Sequence, residues 1–393
     1  MNKPVYIIGA KRTPIGSFQG QFAKTPAPDL GAAAIAAAVA QAGVESADID
    51  EVLMGCVLPA GVGQAPARQA ALAAGLPLSA PCSTVNKVCG SGMKTVMLAA
   101  DAIGAGSTQV AVAGGMENMS LAPYLLPGAR SGYRLGDSTV VDHMFYDGLT
   151  NPYDNKLMGV FAESCVEKYD FSREEQDAFA AESVRRAQQA IAAGDFAEEI
   201  VPVSVTVRRQ ETEVDTDEEP GRCVIEKIPN LRPAFKRDGG TVTAANASKI
   251  SDGASATVLA SAEYVQKNGL QPLAKICAYT QHAQEPAWFT TAPVTAMQKL
   301  MDQLGWRVDD VDLFEINEAF AVVTMAAMKE LGIAHDKVNV RGGATALGHP
   351  IGASGNRILV TLLYALKQKG LKRGIASLCI GGGEATAVAI ELV

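Results

Sequence analysis

Apolar and polar positions in this chain follow helix and strand periods in an order that occurs twice. Val5–Ile8 is a short continuous apolar run of strand length. An alanine-rich helical stretch, Leu30–Ala42, follows, and Asp48-Ile49-Asp50 then leads into Val52-Leu53-Met54. In the second half, Leu273–Tyr279 reads as a strand and Val294–Leu304 as a helix, and Asp310-Val311-Asp312 leads into Leu313-Phe314. The match continues. Val85-Asn86 precedes Gly90-Ser91-Gly92, an apolar helix to Ile103, a strand Val110-Ala111-Val112 and Gly114-Gly115. Val338-Asn339 precedes Gly352-Ala353-Ser354-Gly355, an apolar helix to Leu366, a strand Ile375–Cys379 and Gly381-Gly382-Gly383. Such alternation predicts α/β architecture built from two βαβα-type units, a duplicated fold about a pseudo-two-fold axis.

The second half ends on Thr386–Leu392, whose counterpart is Ala256–Ala260. The stretch 120–249 therefore reads as an insertion. Residues 1–119 and 250–269 then form one half, 120–249 an inserted domain and 270–393 the other half. Within the insert, Ser172-x-x-Glu175 is a capping box that opens a helix over Gln176–Ala193, with Gly194 just past its end. The segment Thr206–Arg237 carries Arg208, Arg209, Arg222, Lys227, Arg232, Lys236 and Arg237 around an acidic run. Either it meets a phosphate-bearing ligand or it is a solvated face.

Composition narrows the function classes. In 393 residues, 48% are hydrophobic and 19% charged, the balance of a globular enzyme with a large core. A formal net charge of −8 argues against nucleic acid as a partner. No apolar run reaches membrane-span length uninterrupted, so no membrane association is expected. Seven scattered cysteines without a CxxC argue against a disulfide scaffold and against a metal site. Free thiols, a start without signal-peptide layout and a Glu-Leu-Val end that is no peroxisomal address make the cytoplasm the expected compartment.

Candidate chemistry sits at strand-to-helix junctions. Cys89, in Val85-Asn-Lys-Val-Cys89-Gly-Ser-Gly, lies where a strand-like run ends and a buried helix begins, a place that favours a thiolate. The competing reading is a structural cysteine. His349, in Gly348-His-Pro-Ile-Gly352, is one of four histidines and occupies the matching junction of the second half. Two-fold packing would bring it to Cys89 as the base that a nucleophilic thiol needs; otherwise it is caught in a tight turn. Cys379 ends a strand before Gly381-Gly382-Gly383, whose amides suit an oxyanion, or it is a core cysteine. Asn317, in Asn317-Glu-Ala-Phe320, follows a strand and could orient a water.

Together with Gly114-Gly-Met-Glu-Asn-Met119, Leu231-Arg-Pro-Ala-Phe235 and Asn246-Ala-Ser248, these motifs run in order along essentially the whole chain. The sequence resembles the thiolases, in their acetyl-CoA acetyltransferase branch. The resemblance implies a thiolase fold: two duplicated five-layered α/β/α/β/α halves with an inserted loop domain. It implies interconversion of two acetyl-CoA with acetoacetyl-CoA plus CoA by ping-pong Claisen condensation and thiolysis. Coenzyme A thioesters are then substrates, with no cofactor beyond them. Cys89 would carry the acyl group, His349 would activate it, and Cys379 would be the second acid/base. One oxyanion site would combine His349 with a water on Asn317, the other the amides of Cys89 and Gly381. Ser248 would meet the pantetheine arm. Leu157, Met158, Ala319, Phe320, Trp288 and Phe289 would surround the substrate, and Arg222 and Lys227 would meet the phosphate end of CoA. The segment Leu121–Asp137 resembles the loop through which tetrameric members pair dimers, implying a homotetramer.

The chain departs from the family pattern at three places. Leu157 stands where many members have a histidine, Pro286-Ala-Trp-Phe-Thr-Thr-Ala-Pro293 replaces a Met-Gly loop, and Gly383-Glu-Ala385 replaces Gly-Met-Gly. These bear on acyl chain length, so a broader 3-ketoacyl-CoA thiolase is the alternative. A β-ketoacyl-carrier-protein synthase lacks the second cysteine before a glycine run. A non-catalytic lipid-binding relative would lack Cys89, His349 or Cys379. A dinucleotide-binding dehydrogenase needs GxGxxG after the first strand, which Ile8-Gly9-Ala10-Lys11-Arg12 does not supply.

Overall fold

The repeat becomes a single twisted sheet with its symmetry axis at the centre. The computed structural model describes residues 3–207 and 209–393; Arg208, one of the basic residues named above, lies outside them. The strands are β1 (Val5–Arg12), β2 (Glu51–Gly55), β3 (Cys82–Val85), β4 (Val110–Asn118), β5 (Ser251–Ser261), β6 (Ala274–Ala283), β7 (Leu313–Ile316), β8 (Arg373–Ile380) and β9 (Glu384–Leu392). Their spatial order is β3-β2-β4-β5-β1-β6-β9-β8-β7, and Gly16–Ser17 adds a short pairing to β5. The axis passes between β1 and β6, antiparallel neighbours paired from Val5↔Ile276 to Ile7↔Ala274. About it, β5 answers β9, β4 answers β8 and β2 answers β7. The strand ending the second half thus has its counterpart after the insert, and Val338 bridges to Phe314 as β3 pairs with β2.

The main helices are α1 (Ala27–Ala42), α2 (Pro66–Ala73), α3 (Ser91–Ala105), α4 (Met158–Tyr169), α5 (Arg173–Ala193), α6 (Ala292–Leu304), α7 (Ala321–Leu331) and α8 (Ser354–Lys369). Side-chain alternation along each strand sorts them into layers. Val110 and Val112 face outward with α1 and α2, while Ala111 and Ala113 face inward to α3 and α8. In the second half Ala387 and Ala389 face α6, and Val388 and Ile390 face α3 and α8. The two halves together stack five layers, α/β/α/β/α. Every residue of α8 from Ser354 to Leu366 is buried. A helix covered on all sides needs apolar residues around its whole circumference, so its buried Asn356, Arg357 and Thr361 are exceptions that call for partners.

Glycine sets how closely the central helices meet. A Cβ on Gly92 would crowd Gly352 O and Asn356 N, and one on Gly355 would run into Met93 N. The start of α3 therefore lies backbone-to-backbone against the start of α8. That contact brings the loops before the two helices together.

Residues 120–249 contribute no strand to the large sheet. They hold α4, α5 and the hairpin Val203–Val207/Gln210–Val214. The capping box forms: Glu175 N–H donates to Ser172 Oγ at 3.1 Å and Ser172 N–H donates to the Glu175 carboxylate at 2.7 Å. Such a cap contributes about 1 kcal/mol, and Gly194 closes the helix at φ 75°. Buried ion pairs tie this stretch to β1, with Arg12 bonded to Glu199 at 2.6 Å and to Asp217 at 2.7 Å. Among the described residues no helix is long and apolar enough to cross a membrane.

Candidate active site

The loop from β3 to α3 presents Cys89. Its shape is held locally: Val88 N–H donates to Asn86 Oδ1 at 2.9 Å, Lys87 N–H to Ser91 Oγ at 2.8 Å, and Ser91 Oγ–H to Val88 O at 2.7 Å. The turn forces Val88 to φ 47°, an unusual conformation for a β-branched residue and one that concentrates at functional sites. Cys89 is half-buried. Burial pushes its thiol up to about 11, against the pull of the backbone N–H groups of Gly381 and of Cys89 itself. The amides act in the direction that a helix start promises, but desolvation wins, and the resting group is a thiol. Alkylation of Cys89 by iodoacetamide is accordingly expected to accelerate about tenfold per pH unit between pH 7 and 10. Timed labelling with peptide mapping checks this, and a rate already flat above pH 7 would mean a resting thiolate.

His349 enters from the turn before α8, where Gly348 takes φ 118°. Its N–H donates to Lys249 O at 3.0 Å. Ser354 Oγ–H donates to Pro350 O at 2.9 Å, so its oxygen accepts from His349 Nδ1–H at 2.6 Å. This pattern assigns the Nδ1–H tautomer and leaves the Nε2 lone pair free. Nε2 is buried and has no partner among the described residues. Burial, reinforced by the charge of Arg357, pushes the imidazole down to about 3. His349 is a neutral acceptor poised for one proton.

Asn317 follows β7, with its N–H donating to Ser377 O at 3.0 Å. Both ends of its side-chain amide are buried without a partner among the described residues. Such an amide is costly unless water or a substrate completes it. Cys379, near the end of β8, is buried in an apolar cluster with Phe161, Phe289 and Phe320. Burial holds its thiol well above the ordinary range, and the neighbouring Cys89 sulfur raises it further. The two sulfurs are close enough to feel each other, so two thiolates at once are disfavoured. Gly381 follows Ile380, and Gly382 and Gly383 take φ 95° and 91°. A Cβ on Gly90 would overlap Ile380, so the Cys89 loop lies directly against the Cys379 strand end. Lys87 and Glu384 form an ion pair across this contact. Glu384, a departure from the family pattern, thus clamps the nucleophile loop.

A cavity of about 490 Å³ opens onto these loops. Of the residues singled out in the sequence, Leu157, Met158, Ser248, Phe320 and His349 line it, and its remaining wall is mainly apolar. Cys89 packs against an apolar cluster that includes Met119 and Ile351, two residues of this wall. An adjoining pocket of about 330 Å³ touches Val88, Met158, Gly381 and Gly382. Other candidates lie elsewhere. Ala319 is behind Ser248, accepting its N–H at 2.9 Å. Phe289 is core, with ring centroids 6.4 Å from Phe161 and 6.5 Å from Phe320. Trp288 carries Lys168 over its ring at 4.9 Å. Neither aromatic is among the residues that line the cavity. Arg222 is exposed and pairs with Glu218 at 3.2 Å, and Lys227 is exposed on the surface.

Sequence reasoning passed over Ser354, which sets the His349 tautomer, and the role of Glu117. The Glu117 carboxylate accepts N–H bonds from Val57 at 3.0 Å, Leu58 at 3.1 Å and Gly352 at 2.8 Å. It clips the loop after β2 to the His349 turn. Burial pushes it up to about 7 despite those amides. The readable signal was a carboxylate within an otherwise uncharged strand.

Comparison with known proteins agrees with this arrangement. The family descriptions "Thiolase, N-terminal domain" and "Thiolase, C-terminal domain" match residues 5–263 and 270–392. The chain is 52% identical over 393 residues to acetyl-CoA acetyltransferase 2 of Arabidopsis thaliana, covering 100% of this chain and 98% of that one. It is 50% identical over 388 residues to an acetyl-CoA acetyltransferase of Pseudomonas aeruginosa, covering 98% of each. The crystal structure of the Acat5 thiolase from Ascaris suum in complex with coenzyme A superposes with a TM-score of 0.95 at 46% identity, over 100% of both chains.

Proposed function

The chain belongs to the thiolase family, and from that premise we propose how its residues divide the work of acetyl transfer between coenzyme A thioesters. The reaction interconverts two acetyl-CoA with acetoacetyl-CoA plus CoA. In the cleaving direction His349 Nε2 takes the proton of Cys89, and the sulfur attacks the keto carbon of acetoacetyl-CoA. The N–H groups of Cys89 and Gly381 face the resulting oxyanion. The carbon–carbon bond breaks, leaving acetyl-Cys89 and the enolate of acetyl-CoA, which Cys379 protonates. The Cys379 thiolate then takes the proton of the CoA thiol, whose sulfur attacks acetyl-Cys89; acetyl-CoA leaves, and the released Cys89 thiolate takes its proton back from His349. The enolate oxygen is met by His349 and by a water on Asn317.

The observation that carries this reading is the pair of orphaned polar groups beside the two sulfurs. Among the described residues His349 Nε2 and both ends of the Asn317 amide are buried without a partner, and His349 lines the cavity. Alternation of charge between the thiols suits a ping-pong scheme. Acetylation caps the Cys89 sulfur, so no second thiolate can oppose ionisation of Cys379 while the acyl group is in place. The test is intact mass after brief incubation with acetoacetyl-CoA in the absence of CoA. An acetyl increment mapped to Cys89 is expected; an increment on another residue, or none on folded protein, rejects the assignment.

Residues 120–249 act as the inserted coenzyme A-binding domain. In support, they supply Leu149, Leu157, Met158, Phe235 and Ser248 to the cavity wall. We assign a short acyl chain, and longer 3-ketoacyl-CoAs turned over as fast as acetoacetyl-CoA would favour the broader alternative. A homotetramer is supported by the exposed Leu126, Leu135 and Val140 and by the partly exposed edge strand β3. A sedimentation mass of one or two chains would exclude it. The seven free cysteines support a reducing compartment, the cytoplasm; disulfide-linked peptides in protein from its natural source would count against it.

A further inference from the structure

A buried arginine–glutamate pair, Arg357 and Glu315, is left unsatisfied by direct contacts among the described residues. Arg357, in the first turn of α8, is 1% exposed, and none of its guanidinium nitrogens has a hydrogen-bond partner among the described residues. Its nearest carboxylate is Glu315, with Nη1 3.9 Å from Oε2. That is too long for a hydrogen bond. Glu315 Oε1 is likewise buried without a partner.

Neighbouring buried charges are treated differently. Glu199 accepts from Arg12, Arg341 and Thr361. Asp217 accepts from Arg12, and Glu318 accepts from Ser183, Asn339 and Thr345. The fold can satisfy buried ions by direct bonds, yet at Arg357 and Glu315 it does not. Buried ions without direct partners are normally completed by ordered water, which needs two to four polar neighbours. Such neighbours are at hand. Asn317 stands two residues beyond Glu315 at the end of β7, and both ends of its amide are free. His349 is held by Ser354, one helical turn before Arg357, and its Nε2 is free.

We propose that buried water bridges Arg357 to Glu315 and continues to Asn317 and His349, which makes Arg357 and Glu315 positioning residues for the oxyanion site that Asn317 and His349 share. β7 carries one member of that site and the start of α8 carries the support of the other. The solvated pair spans these two elements and sets their separation. It also places a fixed positive charge behind the water that faces the enolate, where preorganised charge stabilises a developing anion. Burial and the Arg357 charge keep His349 neutral, consistent with a cation on this side of the ring.

The inference rests on the roles given above to Asn317 and His349, and one experiment separates the two. Wild type, Arg357→Met, Arg357→Lys and Asn317→Ala are compared in two assays. One is acetylation of Cys89 by acetyl-CoA, which needs the amides of Cys89 and Gly381 and the His349 base but not the water on Asn317. The other is deuterium exchange into the methyl group of acetyl-CoA, which needs the enolate site. Asn317→Ala is expected to slow exchange about 10²-fold and spare acetylation; if it slows neither, the parent reading fails. Arg357→Met is expected to slow exchange about 30-fold with acetylation within about threefold of wild type, and Arg357→Lys to recover most of the loss. Equal loss of both steps, or unchanged exchange, overturns the positioning role. A high-resolution crystal structure of the wild-type enzyme decides the matter even if Arg357→Met does not fold. Ordered water within hydrogen-bond distance of Arg357 and of Glu315 or Asn317 is expected, and direct protein bonds to all three guanidinium nitrogens would overturn the bridge.

Discussion

Cys89→Ser is expected to fold as the parent does and to lose thiolysis of acetoacetyl-CoA by at least about 10⁴-fold. The substitution exchanges sulfur for a smaller oxygen at a half-buried position, so packing against the apolar cluster that includes Met119 and Ile351 changes little. The chemistry changes greatly. A hydroxyl surrenders its proton far less readily than a thiol, and here the base is an imidazole that burial pushes down to about 3. That base can assist a thiol whose anion two backbone amides solvate, but it has little power over an alcohol. The loss is read as steady-state thiolysis together with intact mass, and no acetyl increment should form with acetoacetyl-CoA. Thiolysis within tenfold of wild type would remove Cys89 from the nucleophile's role.

Cys379→Ser should separate the two half-reactions. Acetylation of Cys89 by acetyl-CoA is expected to survive within about tenfold, because the amides of Cys89 and Gly381 and the His349 base are untouched. Condensation is expected to fall by at least about 10³-fold. The reason is again the surroundings. Cys379 is buried among aromatic rings, and both burial and the Cys89 sulfur hold its proton tightly. Acetylation caps the Cys89 sulfur, so Cys379 faces no second thiolate at the step that needs its proton. A serine there keeps the shape and not the acidity. Rapid-quench acetylation and condensation rates measured on the same preparation check this, and equal loss of both would mean that Cys379 supports the site only structurally.

How much of this was legible in the chain can be judged residue by residue. The repeat of strands and helices was readable because burial imposes periods of two and of 3.6 on any chain that folds this way. The cap at Ser172 and Glu175 and the close at Gly194 were readable because they are local hydrogen-bond requirements. Cys89 and His349 stood out because glycine surrounds them at strand–helix junctions, and Cys379 because a glycine run follows it at a strand end. The Trp288-Phe289 pair was ambiguous, since an aromatic in a loop reads alike whether it faces a pocket or a core. The structure places Phe289 behind Phe320 and Trp288 under Lys168. Arg222 and Lys227 are both exposed, where either a bound phosphate or solvent can meet them, and charge alone does not distinguish the two.

The sequence by itself determined the duplicated α/β order, the membership of the nucleophile and base in matching loops, and the glycines that let those loops meet. These depend on local sterics and periodicity, which each segment carries with it. Only the tertiary structure decided the protonation of the site and its supports. Desolvation of Cys89 and His349, the tautomer set by Ser354, the clip made by Glu117 and the unsatisfied Arg357–Glu315 pair arise from groups distant in the chain. Electrostatic energy depends on burial and on neighbours through space, and neither quantity exists until the two halves have closed on each other.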